Sequence, residues 1–152
     1  MANRLDFLFQ EWHRLGGAVL IAEIDPNISA RQPEDVIAES TAYCRQSGRL
    51  TWVVMDWLIH HISDVDENAL LDKTRENGDI SVLGVLCDGA NQQQPNKKFT
   101  WLMRACQPHK ELQPFFLRVA SSPLASQLAR ENSLELFRRW NYYSNELRYL
   151  TS

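Results

Sequence analysis

A histidine one helical turn from a carboxylate is the first arrangement in this sequence that could move a proton. Asp56 and His60 stand four residues apart in the run RLTWVVMDWLIHHI, residues 49–62. On a helix that spacing puts both side chains on one face. A carboxylate there orients the imidazole tautomer and favours its protonated form, which suits a general base. At helical periodicity Arg49, Asp56, His60 and Ser63 fall within about 60° of one another, a single polar stripe on an otherwise apolar segment. The same geometry serves a polar tie between packed helices. Because no nucleophile or oxyanion motif lies nearby, the structural reading leads. A hydrolase using the Asp56–His60 pair is the third functional reading, and no catalytic residue is assigned.

Other clusters are weaker in chemistry. His60, His61, Asp64, Asp66 and Glu67 gather just after the apolar run, but adjacent histidines on a helix diverge by about 100° and the carboxylates are equally well placed as helix caps. No zinc or calcium spacing is present, so no metal is assigned, and no cofactor motif appears. Cys44, Cys87 and Cys106 form no C-x-x-C pair and read as buried, reduced thiols. The pair Arg104 and His109 resembles the R-x4-6-H motif of the HEPN helical ribonucleases, which would imply phosphodiester cleavage. Pro108 interrupts the helix on which that family displays its motif, so neither residue is assigned a catalytic role.

The candidate binding residues lie toward the C-terminus. The formal net charge is −3, but residues 1–96 hold 7 basic and 15 acidic side chains, a balance of −8, and residues 97–152 hold 9 and 4, a balance of +5. The sign turns over at the polar stretch NQQQPNKK, residues 91–98. The spacing of Leu136, Trp140, Tyr143, Leu147 and Leu150 predicts one apolar stripe on a last helix capped by Ser133. Opposite it, Arg138, Tyr142, Asn145 and Tyr149 share a face of about 60°. With Arg139, Arg148, Lys97 and Lys98, that face has the cationic and aromatic character that grips phosphates and stacks bases. An acidic protein surface would satisfy it equally well.

The elements that must position these residues follow from periodicity and caps. Residues 3–15 read as an amphipathic helix stopped by Gly16-Gly17. Pro33, followed by Glu34 and Asp35, opens a second helix that Gly48 is expected to stop. Asp64 or Asp66 caps a helix ended by Asn77-Gly78, and a further helix runs from about Phe99 to Cys106. Two short apolar runs, AVLIAEI (18–24) and ISVLGVLC (80–87), are ambiguous between strand and helix, with Gly84 weighing against a helix in the second.

The expectation is an all-α fold, one domain over 1–152, with short helices around a buried central helix at about 49–62. The alternative is α/β, with three parallel strands ending near Asp25, Asp56 and Asp88 at spacings that suit a βαβ unit. The N-terminus lacks a signal-peptide core and no stretch is long enough to span a bilayer, so a cytoplasmic protein without membrane contact is expected. The leading functional expectation is a regulatory, adaptor or chaperone-like protein acting through a protein partner or self-association. A nucleic-acid-binding regulator using the C-terminal helix comes second.

Overall fold

In the computed structural model of the chain, the described residues are 3–21, 23–28, 30–117, 124, 130–131 and 133–144. The elements are helices α1 (Arg4–Arg14), α2 (Pro33–Thr41), α3 (Gly48–His61), α4 (Glu67–Asn77), α5 (Ile80–Gln93), α6 (Lys97–Ala105) and α7 (Glu135–Arg138). Two-residue strands β1 (Gln113–Pro114) and β2 (Tyr142–Tyr143) pair in parallel, Gln113 opposite Tyr142 and Pro114 opposite Tyr143. The fold is all-α. None of the runs ending near Asp25, Asp56 and Asp88 is a strand, so the α/β alternative is set aside. Among the described residues no helix is long and apolar enough to cross a membrane.

Local chemistry accounts for most of the helix boundaries. Asn3, Ser47, Asp66, Asp79 and Asn96 each accept backbone N–H groups at the start of α1, α3, α4, α5 and α6, satisfying donors a helix leaves open. α1 ends where Gly16 adopts φ +83, a left-handed conformation that glycine takes without steric penalty. Gly48, expected to stop α2, instead begins α3, because the Ser47 hydroxyl caps it from Leu50 N–H at 3.0 Å. α2 has already closed at Thr41 and passes through a 3-10 turn at Cys44–Gln46.

The run 80–87 belongs to α5, the most enclosed helix, in which every residue from Ser81 to Ala90 is buried. A helix apolar all round is what a core position demands, and its pattern shows no periodicity for that reason. Gly84 supports the helix here. A Cβ at that position would lie 2.4 Å from the Trp140 ring, so the missing side chain is the seat for an indole. A Cβ on Gly89 would meet Met55 Cε at 2.7 Å, which sets the close approach of α5 to α3. α3 buries Leu50, Val53, Val54, Met55, Trp57 and Leu58, with Trp57 turned toward Trp12 of α1 at 5.5 Å.

The expected C-terminal helix is corrected. It is cut short at Arg138, where Trp140 N–H reaches back to Phe137 O and Asn141 N–H to Arg138 O, each a three-residue step that tightens the last turn. Asn141 then takes φ +61, a left-handed conformation that asparagine tolerates better than most residues. The chain leaves as β2 and buries both Tyr142 and Tyr143. A continuous helix would leave the Tyr142 ring on its solvent face. Burying such a ring is worth about 4 kcal/mol at the usual area coefficient, well above the helical hydrogen bonds forgone.

Candidate functional site

The Asp56–His60 pair forms as spaced, but without the geometry of an active site. His60 Nδ1–H donates to the Asp56 backbone carbonyl at 2.8 Å, and lies 3.7 Å from Asp56 Oδ1. The imidazole is exposed, so water competes for both of its nitrogens. Arg49 does not join it. That guanidinium donates to Leu20 O at 3.0 Å and sits 4.7 Å over the Phe9 ring. His61 turns the other way and stacks on Trp57 at 4.8 Å. Asp66 is occupied as the α4 cap and receives none of these histidines. Among the described residues no group of three or more His, Cys, Asp or Glu could hold a metal ion.

The C-terminal binding residues are dispersed. Arg139 makes a two-pronged ion pair with the buried Asp88 carboxylate, Nε to Oδ2 and a terminal nitrogen to Oδ1, both at 2.8 Å. Trp140 Nε1–H adds a third bond to Oδ2 at 3.0 Å. Hydrogen bonding to Asp88 raises the Arg139 pKa against the opposing cost of burial. Tyr142 is inaccessible, its hydroxyl 2.7 Å from Ser81 Oγ. Burial first, and the nearby Asp79 carboxylate, hold that phenol above its ordinary pKa. Arg138 is exposed and reaches back to the carbonyls of Arg130 and Glu131. Asn145, Arg148 and Tyr149 lie outside the described residues. The face expected from helical spacing therefore does not form at Arg138 and Tyr142, and Arg139, expected to add charge to it, is committed to Asp88.

Lys98 is also structural, donating to Val65 O at 2.6 Å and Ser63 O at 3.2 Å, with its ammonium 3.6 Å from Glu67 Oε2. Lys97 is exposed. Arg104 is exposed on α6 and His109 lies beyond the helix end against Tyr142, so the two share no helix face. Part of the charge asymmetry thus cancels within the chain, through Arg139 with Asp88 and Lys98 with Glu67.

The surface that sequence reasoning missed is the connection after α1. The run AVLIAEI is neither strand nor helix over its described residues, and its apolar side chains are mostly not buried. Leu20 is 91% exposed and Ile24 64%, the first of them the most exposed large apolar residue described. Side chains clamp the backbone beneath them. Gln10 donates to Glu23 O at 2.6 Å and accepts from Asp25 N–H at 3.0 Å, while Arg49 holds Leu20 O. The N–H groups of Leu20, Ile21 and Ile24 bond to no described residue. A groove of about 380 Å³ runs beside the segment, lined by Asp6, Phe9, Gln10, Leu20, Ile21, Glu23 and Arg49.

Behind the segment, an ion network built on the buried Glu11 and the half-buried Arg31 and Glu39 fixes the rest of the connection. The Arg31 guanidinium bonds Glu11 at 2.7 Å and Glu39 at 2.9 Å, and Arg4 completes the pair with Glu39. Burial works against the charge on Arg31, but the hydrogen bonds to Glu11 and Glu39 outweigh it and raise the pKa. Glu11 is fully buried although its sequence position sits on a helix that reads as amphipathic. No protein-family profile, curated protein or solved structure matches the chain.

Proposed function

We propose that the protein is a contact module of the regulatory, adaptor or chaperone-like kind, and that residues 18–25 are where a protein partner docks. The observation that carries this reading is the pair of aliphatic side chains, Leu20 and Ile24, held in water on a clamped backbone. Burying either against a partner contributes about 1.5–3 kcal/mol. Asp6, Glu23 and Asp25 rim the same segment and are exposed, while Arg49 is already engaged. The partner that fits is an apolar segment flanked by lysine or arginine.

Photo-cross-linking tests this directly. A benzophenone amino acid placed at Leu20 in the full chain, irradiated in extract of the cells that make it, is expected to yield one discrete protein adduct. Glu23→Lys should suppress that adduct, and the same label at Leu112, exposed in the basic half, should not give it. No adduct from position 20, or an adduct indifferent to Glu23→Lys, overturns the proposal.

A further inference from the structure

α6 presents a second surface with different chemistry. Lys97, Trp101 and Arg104 stand at i, i+4 and i+7, so they share a face of about 60°, and all three are exposed. Trp101 is 40% exposed, whereas Trp12, Trp57 and Trp140 are 0%, 4% and 6% exposed in the core. Neither Lys97 nor Arg104 forms an ion pair among the described residues. The two cations flank the indole over about 10 Å of helix. Beside it, between the first turns of α4 and α6, lies a groove of about 390 Å³ lined by Glu67, Asn68, Lys97, Lys98 and Trp101. Glu67 Oε2 is shielded from solvent there and makes no hydrogen bond, with the Lys98 ammonium 3.6 Å away as its ion-pair partner.

We infer that this face binds a nucleotide base carrying phosphate, either a free nucleotide or a stretch of single-stranded nucleic acid. The base stacks on Trp101, phosphate oxygens meet Lys97 and Arg104, and Glu67 accepts from a base amino or sugar hydroxyl group. An indole flanked by free cations is the combination that single-strand binders use. A duplex keeps its base faces stacked inside and offers Trp101 nothing. An acidic peptide would meet the cations and leave the indole unused. The formal charge of −3 restricts the footprint to this face, since extended nucleic-acid binders are basic overall. The surface is separate from residues 18–25, and neither reading depends on the other.

The test is a tryptophan-fluorescence titration of the full chain at low ionic strength. The probes are single-stranded oligo(A) of about eight nucleotides, a length one such site spans, adenosine monophosphate, and a polyglutamate peptide. Oligo(A) is expected to quench the fluorescence, with log affinity falling by about 0.7 per contacted phosphate for each unit of log salt. Trp101→Leu, read by anisotropy of end-labelled oligo(A) because the reporting indole is gone, should weaken binding by about tenfold or more, with the far-ultraviolet circular dichroism unchanged. Lys97→Gln and Arg104→Gln should each reduce the salt slope by about 0.7. Equal affinity for adenosine monophosphate and oligo(A) assigns the site to a free nucleotide; tighter binding of the oligomer assigns it to a strand. No quenching by either, polyglutamate binding as tightly, or an unchanged affinity in Trp101→Leu overturns the inference.

Discussion

Replacing Asp88 should destabilise the protein strongly, because one buried carboxylate joins α5 to the C-terminal segment. It accepts two N–H groups from Arg139 at 2.8 Å and the Trp140 indole N–H at 3.0 Å. Hydrogen bonds to a charged group contribute about 1.5–3 kcal/mol each. The Arg139 side chain is 40% exposed, however, so its freed charge returns to water and its two bonds count for much less. The Trp140 N–H has no such escape, being buried, and leaving it unmet costs about 1–3 kcal/mol. Asp88→Ala should therefore cost about 3 kcal/mol, a large share of a typical domain's 5–15 kcal/mol. Urea unfolding followed by tryptophan fluorescence and circular dichroism measures it, with the midpoint expected to fall by about 1.5 M at an ordinary slope. Arg139→Met alone should also be costly, since it strands a buried carboxylate. Combined with Asp88→Leu it should recover the part of that loss due to the stranded carboxylate, as apolar replacement of a buried pair is often near neutral, and leave the cost of the unmet Trp140 N–H. A cost below about 1 kcal/mol for Asp88→Ala, or strictly additive effects in the double variant, would refute the clamp.

Three further outcomes follow from local geometry. Asn141→Gly should be more stable than Asn141→Ala by about 1 kcal/mol in thermal unfolding, because both lose the bond to His109 O but only glycine accepts φ +61 freely; equal melting would contradict the turn. Gly84→Ala should lower stability by about 1–3 kcal/mol in urea despite alanine's better helix propensity, since its methyl group would overlap the Trp140 ring; a stabilised variant would displace that ring. Burial pushes the Cys44 and Cys106 thiols up to about 12 from an ordinary value of 9.0. Unfolded thiols ionise near that ordinary value while the native ones stay protonated, so the unfolded state binds fewer protons between pH 9 and 12 and stability falls as pH rises through that window. At pH 10 the loss should be about 3 kcal/mol for the two thiols together; a flat urea midpoint from pH 8 to 10 would contradict their burial.

How much of this was legible depended on whether local signals decided the outcome. The cap at Asp66, the first-turn Pro33 of α2 and the stops at Gly16 and Gly78 could be read because each acts within a turn of its own residue. The helical identity of α5 could not, since burial on all sides erases the periodicity and Gly84 is explained only by a tryptophan 56 positions away. Asp79 and Ser81 carried a usable capping signal that the apolar run obscured. The last helix failed through competition: its spacing suited a helix, but pairing with β1 and burial of Tyr142 prevailed. Arg45 shows the distance involved, donating to Phe115 O, Pro114 O and Gln113 Oε1 from a segment nearly seventy residues earlier. Of the candidate site, the Asp56–His60 spacing was legible and its exposure was not. The Lys97, Trp101 and Arg104 stripe was present in the spacing of α6, but the exposure of Trp101 is set by tertiary packing that spacing does not carry.

Affinity decides whether Leu20 and Ile24 make the proposed contact. Once the protein cross-linked from position 20 is purified, its Kd for the unmodified chain can be compared with that for Leu20→Ser/Ile24→Ser by titration calorimetry. Losing two buried aliphatic side chains should cost about 2 kcal/mol or more, a weakening of roughly 30-fold or greater, with the urea midpoint unchanged because both residues face solvent in the free protein. An unaltered Kd would contradict the account.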